Sequence, residues 1–186
     1  MKTLGMTEEN LALMCKKADP QARKTLYERY GGALMAICIR YTGDSESAED
    51  VLHDGFIRIF QSMDKFSYQG EGSLKAWLSR VMVNEALGFL RKRSAQTQQE
   101  VLVDVIPDTE EEEEGMSDIP RSVLMNFIRE LPEGYRTVFN LYVFEDKSHK
   151  EIGNLLGITE HTSSSQFYRA KSLLIKKIND YRKKYE

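Results

Sequence analysis

This sequence predicts an all-α protein made of two small helical domains joined by an acidic, flexible linker, the C-terminal domain a helix-turn-helix. Three observations carry that reading. Apolar residues recur at spacings of three and four towards both ends of the 186-residue chain, and no stretch alternates as a sheet strand must. Between the two helical blocks, Ser94 to Pro120 contains no Lys or Arg but nine acids: Glu100, Asp104, Asp108, Glu110 to Glu114 and Asp118. Ser148 and Glu151 stand in the S-x-x-E spacing of a capping box, with Gly157 placed to end the short helix that follows.

In the first block, Leu11, Met14, Cys15 and Ala18 form one apolar stripe, and Asp19-Pro20 then supplies an N-cap and first-turn proline. Gly31-Gly32 reads as an interruption of that second helix. Beyond it, Leu34, Ile37, Cys38 and Tyr41 continue to a stop at Gly43. Ser45 is read as the cap of a helix with a buried face of Ala48, Val51, Leu52, Ile59, Phe60 and Met63, and Ser73 as the cap of one opening Leu74, Trp77, Leu78, Val81. Cys15 and Cys38, on apolar stripes, read as reduced structural residues rather than a disulfide scaffold.

The linker is defined by charge. Met1 to Arg93 holds 14 basic and 12 acidic residues and Arg121 to Glu186 holds 12 and 8, so two mildly basic blocks flank the acidic one within a net charge of −3. Self-repulsion among Glu110 to Glu114, beside Pro107 and Gly115, makes Gln96 to Ser117 read as disordered. As a coil the acidic stretch would span roughly 30 Å, enough for the blocks to grip sites about one DNA turn apart. Its one apolar patch, Val101 to Ile106, reads equally as a docking segment or a stray element end. The expected domains are 1–95, linker 96–119, and 120–186.

In the second block Val123, Leu124, Phe127, Ile128 and Leu131 stop at Pro132, and Tyr135, Val138, Phe139 and Tyr142 begin afresh. After the capped helix and Gly157, Thr159 can cap the last helix, which completes the helix-turn-helix layout. On that helix Phe167, Ala170, Leu174 and Ile178 are expected to pack on Ile152 and Leu155. The opposite face then presents His161, Ser164, Ser165 and Tyr168, with Gln166 and Arg169 at its edges and Lys171 beyond. Hydroxyls, amides and cations are the groups that read base edges and phosphates in a major groove. In the first block Arg80, Asn84, Gly88 and Arg91 share one helix side, Arg91-Lys92-Arg93 is read as ending that helix with three cations, and a polar loop of Phe66 to Gly72 precedes it. Aromatics beside a basic face can hold unstacked bases. Trp77 reads as core.

The three histidines make no H-E-x-x-H, there is no Cys-x-x-Cys, and Gly70-x-Gly72 lacks the rest of a phosphate-binding loop, so an enzyme, a metal site and a cofactor are not expected. The longest apolar run, Ala33 to Ile39, is far short of the ~20 residues that span a bilayer. No membrane insertion and a cytoplasmic location are expected.

These motifs together resemble the extracytoplasmic-function (ECF) group of bacterial RNA polymerase sigma factors, in order and over nearly the whole chain. The run Ser47 to Phe60 resembles the family's acidic, polymerase-binding helix. Gly72 to Ala86, ending in Leu90-Arg-Lys-Arg, resembles the segment that melts the minus-ten promoter element and captures a flipped base. Leu131 to Phe139, then Ser148 to Thr159, is similar to the domain that reads the minus-thirty-five element.

The resemblance implies polymerase contacts at Glu49, Asp50, Leu52, His53, Asp54 and Phe56. It implies a base-capturing loop over Tyr68, Gln69 and on to Ser73, with Asn84 at the matching amide position and Arg80, Arg91, Lys92 and Arg93 on DNA. It implies base and phosphate contacts at Ser164, Ser165, Gln166, Tyr168 and Arg169, beside His161 and Lys171 on the same face. The chain departs from the family at Ser163, where an aliphatic residue is usual, at Ser164 and Gln166, where arginine is frequent, and at Gly88, polar in some relatives. Core RNA polymerase, promoter DNA and an anti-sigma factor are the implied partners, and the acidic linker would thread the polymerase's active-site cleft and RNA exit channel. The alternative is a stand-alone helix-turn-helix regulator that binds duplex DNA without polymerase.

Overall fold

A computed structural model describes residues 6–97 and 119–185. Eight α-helices account for most of them, with no strand among the described residues. The chain divides into two compact units, Met1–Gln98 and Gln99–Glu186. Most of the expected linker, with the Val101 to Ile106 patch and the Glu110 to Glu114 run, lies outside the described residues. At its two ends, α4 continues to Thr97, and Ile119 is buried.

The first unit contains α1 (Glu8–Lys16), α2 (Pro20–Thr42), α3 (Ser45–Ser62), a 3-10 turn (Met63–Lys65) and α4 (Ser73–Thr97). Helices α2, α3 and α4 pack pairwise, with α1 laid across α2. Their core is Leu11, Leu26, Leu34, Cys38, Tyr41, Ile59, Met63, Leu74, Leu78 and Met82. Gly55 lets α3 come close to α4: a Cβ there would lie 2.5 Å from the sulfur of Met82.

Five local expectations are corrected. Gly31-Gly32 does not interrupt α2, because buried residues on both sides, Leu26 and Leu34, hold the helix through a weak spot. Ala18 lies beyond α1, at a φ of 58°. Asp44 rather than Ser45 caps α3: its carboxylate accepts the Ser47 N–H at 2.7 Å, and a charged acceptor there also suits the helix dipole. Ser73 is the first residue of α4 instead of its cap, and its hydroxyl turns back to donate to the Gly70 carbonyl at 2.6 Å. The cations at 91–93 are internal to α4, not its end.

The second unit contains α5 (Arg121–Arg129), α6 (Glu133–Val143), α7 (His149–Leu156) and α8 (Glu160–Tyr185). Leu131, Tyr135 and Ala170 form its centre, joined by Phe139, Leu173 and Leu174. The buried Arg136 guanidinium donates to the carbonyls of Arg129 and Leu131 at 2.9 and 2.8 Å, which satisfies the open end of α5. The capping box of Ser148 and Glu151 forms with both reciprocal bonds, Gly157 takes the left-handed conformation at φ 70°, and the Thr159 hydroxyl accepts the Thr162 N–H at 3.0 Å. Leu155 departs from expectation: Ile152 is fully buried, but Leu155 is exposed.

Candidate nucleic-acid interface

Three surfaces collect the candidate residues. The first is a groove of about 620 Å³ between α2 and α3, lined by Tyr27, Glu28, Met35, Glu49, His53 and others. Spacings of one and four put Glu49, Asp50, His53 and Asp54 on one exposed face of α3. Leu52 and Phe56 are buried, so their part in any contact is to floor the groove rather than to reach out of it. Tyr27 lies over Phe56 with ring centroids 4.7 Å apart and remains 53% exposed. Tyr27, Met35 and the exposed Ile57 were invisible in the sequence pattern, because a helical stripe does not say which partner helix will stand beside it.

The second surface is the loop before α4 together with that helix's outer side. A pocket of about 390 Å³ is lined by Lys65, Phe66, Ser67, Gln69, Ser73, Ala76, Trp77 and Arg80. Phe66 is buried and packs on Trp77 at 5.4 Å; Trp77 is only half-buried, so its ring both closes the core and walls the pocket. Tyr68, Gln69, Arg80, Asn84, Arg91 and Lys92 are exposed. Arg93 is turned inward, over the Phe89 ring and 3.9 Å from the Asp44 carboxylate.

The loop is fastened from outside by α1, which no spacing rule could have revealed. The Glu8 carboxylate accepts the Gly72 N–H at 2.7 Å and the Tyr30 hydroxyl at 2.8 Å, and Lys16 donates to the Phe66 carbonyl at 2.6 Å. Burial, then the hydrogen bond to Glu8, pushes the Tyr30 phenol above its ordinary pKa of 10.0.

The third surface is α8. His161, Ser164, Tyr168 and Lys171 are exposed and Ser165 half-exposed along one face. Gln166 lies beside the start of α6, where a Cβ at Gly134 would stand 3.5 Å from its Oε1, and Arg169 approaches the Tyr135 hydroxyl at 3.4 Å. Towards the C-terminal end, Lys177 pairs with Glu130 at 2.6 Å. Beneath the exposed face, the fully buried Ser163 faces His149 Nδ1 at 3.0 Å, and His149 stacks on Tyr142 at 4.7 Å.

Comparison with known families accounts for both units. Residues 26–96 match the family model for sigma-70 region 2, and residues 121–174 match that for sigma-70 region 4. The chain belongs to the sigma-70 family, in its ECF group. The ECF RNA polymerase sigma-E factor of Haemophilus influenzae is 26% identical over 93% of this chain and 96% of its own length. The ECF RNA polymerase sigma factor SigW of Bacillus subtilis is 26% identical over 89% and 93%. Among solved structures, the sigma factor RpoE from Bartonella quintana, crystallised with the anti-sigma factor NepR, is similar at a TM-score of 0.49 and 21% identity, over 84% of this chain and 96% of that one. In this ECF sigma factor the α3 groove, the loop pocket and most of α4 fall within the region 2 match, and α7 with most of α8 within the region 4 match.

Proposed function

We propose that this ECF sigma factor binds core RNA polymerase, recognises promoter DNA and begins strand opening. The observation that carries it is the pair of region 2 and region 4 matches, in that order and on separate compact units. Residues 1–95 act as the polymerase-clamp and minus-ten domain, 96–119 as the acidic connection and 120–186 as the minus-thirty-five reader. Glu49, Asp50, His53 and Asp54, over the Leu52 and Phe56 floor, receive the polymerase. The exposed face of α8, His161, Ser164, Ser165, Tyr168 and Lys171, enters the upstream major groove, with Gln166 and Arg169 released from α6 to join it. Tyr68 to Ser73 and Asn84 take the unpaired base, and Arg80, Arg91 and Lys92 hold its backbone, with Arg93 released from Asp44 to join them.

Binding energy does the opening, and no bond is made or broken by this chain, so it is not an enzyme. It works in the cytoplasm, where core polymerase is, and an anti-sigma factor restrains it, the long linker giving such a partner room to enter between the domains.

The test is size-exclusion chromatography with core polymerase, followed by run-off transcription on genomic fragments and permanganate probing of the promoters found. Co-migration, discrete transcripts and reactive thymines near minus ten are expected. Failure to co-migrate, with tight duplex binding by the chain alone, would overturn this reading in favour of a stand-alone regulator.

A further inference from the structure

We propose that Glu8 and Lys16 are positioning residues for base capture, holding the loop between Phe66 and Ser73 in its receiving shape before DNA arrives. The inference rests on the reading of that loop as the base-capturing element. The loop is costly to hold: Gly70 and Gly72 sit at φ of 106° and 86°, and glycine gives up more backbone freedom on ordering than any other residue. Its internal bonds, Ser73 Oγ to the Gly70 carbonyl at 2.6 Å and the Gln69 N–H to Ser73 Oγ at 3.2 Å, tie only its second half. Both ends are fixed by one outside helix. Lys16 Nζ holds the Phe66 carbonyl and Glu8 Oε2 holds the Gly72 N–H, across 50 and 64 residues of chain.

Glu8 is itself held. Its other oxygen accepts the Tyr30 hydroxyl, and α1 is anchored by the buried Leu11 and Cys15. Both pins involve a charged group, the stronger class of hydrogen bond. Between them Tyr68 and Gln69 remain exposed, so the anchors lie at the loop's ends and the surface open to a base lies between. A loop already in shape does not pay its ordering entropy at the moment of binding.

The test uses full-length chain in holoenzyme, with a promoter found by run-off transcription. The probe is a single-stranded oligonucleotide carrying the non-template minus-ten element, together with versions bearing each base at the captured position. Glu8→Ala is expected to weaken oligonucleotide binding about tenfold, the equivalent of one lost charge-assisted hydrogen bond. Glu8→Gln, which keeps one acceptor oxygen, and Lys16→Met should weaken it by about threefold each. All three should flatten the preference among the four bases with core affinity close to wild type. Lys16→Met should keep the wild-type melting temperature, while Glu8→Ala, which also strips the hydroxyl of the buried Tyr30 of its acceptor, should lower it modestly. Loss that tracks melting temperature or core affinity, with base preference intact, would mean a merely structural role and overturn the inference. So would wild-type binding and preference in Glu8→Ala while Asn84→Ala and Tyr68→Ala are impaired, which would leave the loop reading standing. Wild-type behaviour in the Asn84 and Tyr68 variants as well would overturn both. Should Glu8→Ala fail to fold, Glu8→Gln and Lys16→Met decide the matter by the same criteria.

Discussion

A serine hydroxyl with no solvent exposure and a histidine ring meet at Ser163 and His149, 3.0 Å apart, at the joint between the two helices of the helix-turn-helix. Ser163 was legible as a departure from the family, but its partner was not, because only the turn brings position 149 against position 163. Ser163→Ala should leave the imidazole nitrogen without its partner and cost about 1 kcal/mol in urea unfolding followed in the second unit. A companion His149→Phe change should recover part of that loss, since the ring still stacks on Tyr142. The two cysteines were legible outright. Burial pushes the Cys15 thiol to about 11 and the Cys38 thiol to about 12, and neither is bonded to another sulfur. At pH 8 both should resist alkylation in folded protein and react once it is denatured; rapid labelling of either in the native chain would contradict the packing described.

Helices were read more reliably than their ends. Periodicity located the apolar faces, and S-x-x-E with a following glycine fixed α7 to the residue, because a capping box and a left-handed stop are both written locally. Asp44 against Ser45 could not be separated by pattern, as either is a good cap. The glycines show how context decides. Gly32→Ala, with nothing within 4 Å of the new methyl, should stabilise the first unit by about 1 kcal/mol through helix propensity alone. Gly153→Ala should destabilise the second unit by about 1–3 kcal/mol, because its Cβ would stand 2.8 Å from the Ile158 carbonyl oxygen, on backbone that cannot step aside. Thermal unfolding of the two variants reads both signs. Ser148→Ala should cost about 1 kcal/mol by removing the cap of α7. The Ser148 backbone and hydroxyl, with Lys147 beside them, hold the Glu151 carboxyl below its usual 4.5. A carboxyl lowered in the folded state stabilises it above that usual value, and the benefit disappears as pH falls through the lowered one. Glu151→Gln, with no proton to take up, should therefore show a shallower acid-side fall in melting temperature.

For the molecule as a whole, composition marks a division into two helical blocks, since nine acids without a cation between Ser94 and Pro120 are costly to bring together in a packed core. If that acidity serves passage through a nucleic-acid channel, replacing Glu110 to Glu114 with glutamine should weaken holoenzyme assembly or alter promoter escape. Titration with core polymerase and abortive-to-full-length transcript ratios measure the two, and no change in either would remove the linker from the mechanism. Least legible were the bonds that join distant parts of the chain. Glu8 stands in the first turn of α1, where an acid needs no further explanation, and nothing in its neighbourhood points to a glycine 64 positions away. That bond also sets an order of events at the ribosome. The carboxylate emerges early, can meet the Tyr30 hydroxyl soon after, and lacks its Gly72 partner until the start of α4 has been translated. On the proposed reading of this loop, a half-made chain therefore has a first helix but no finished receptor for an unpaired base, and nascent fragments that end before Gly72 should not trap DNA through it.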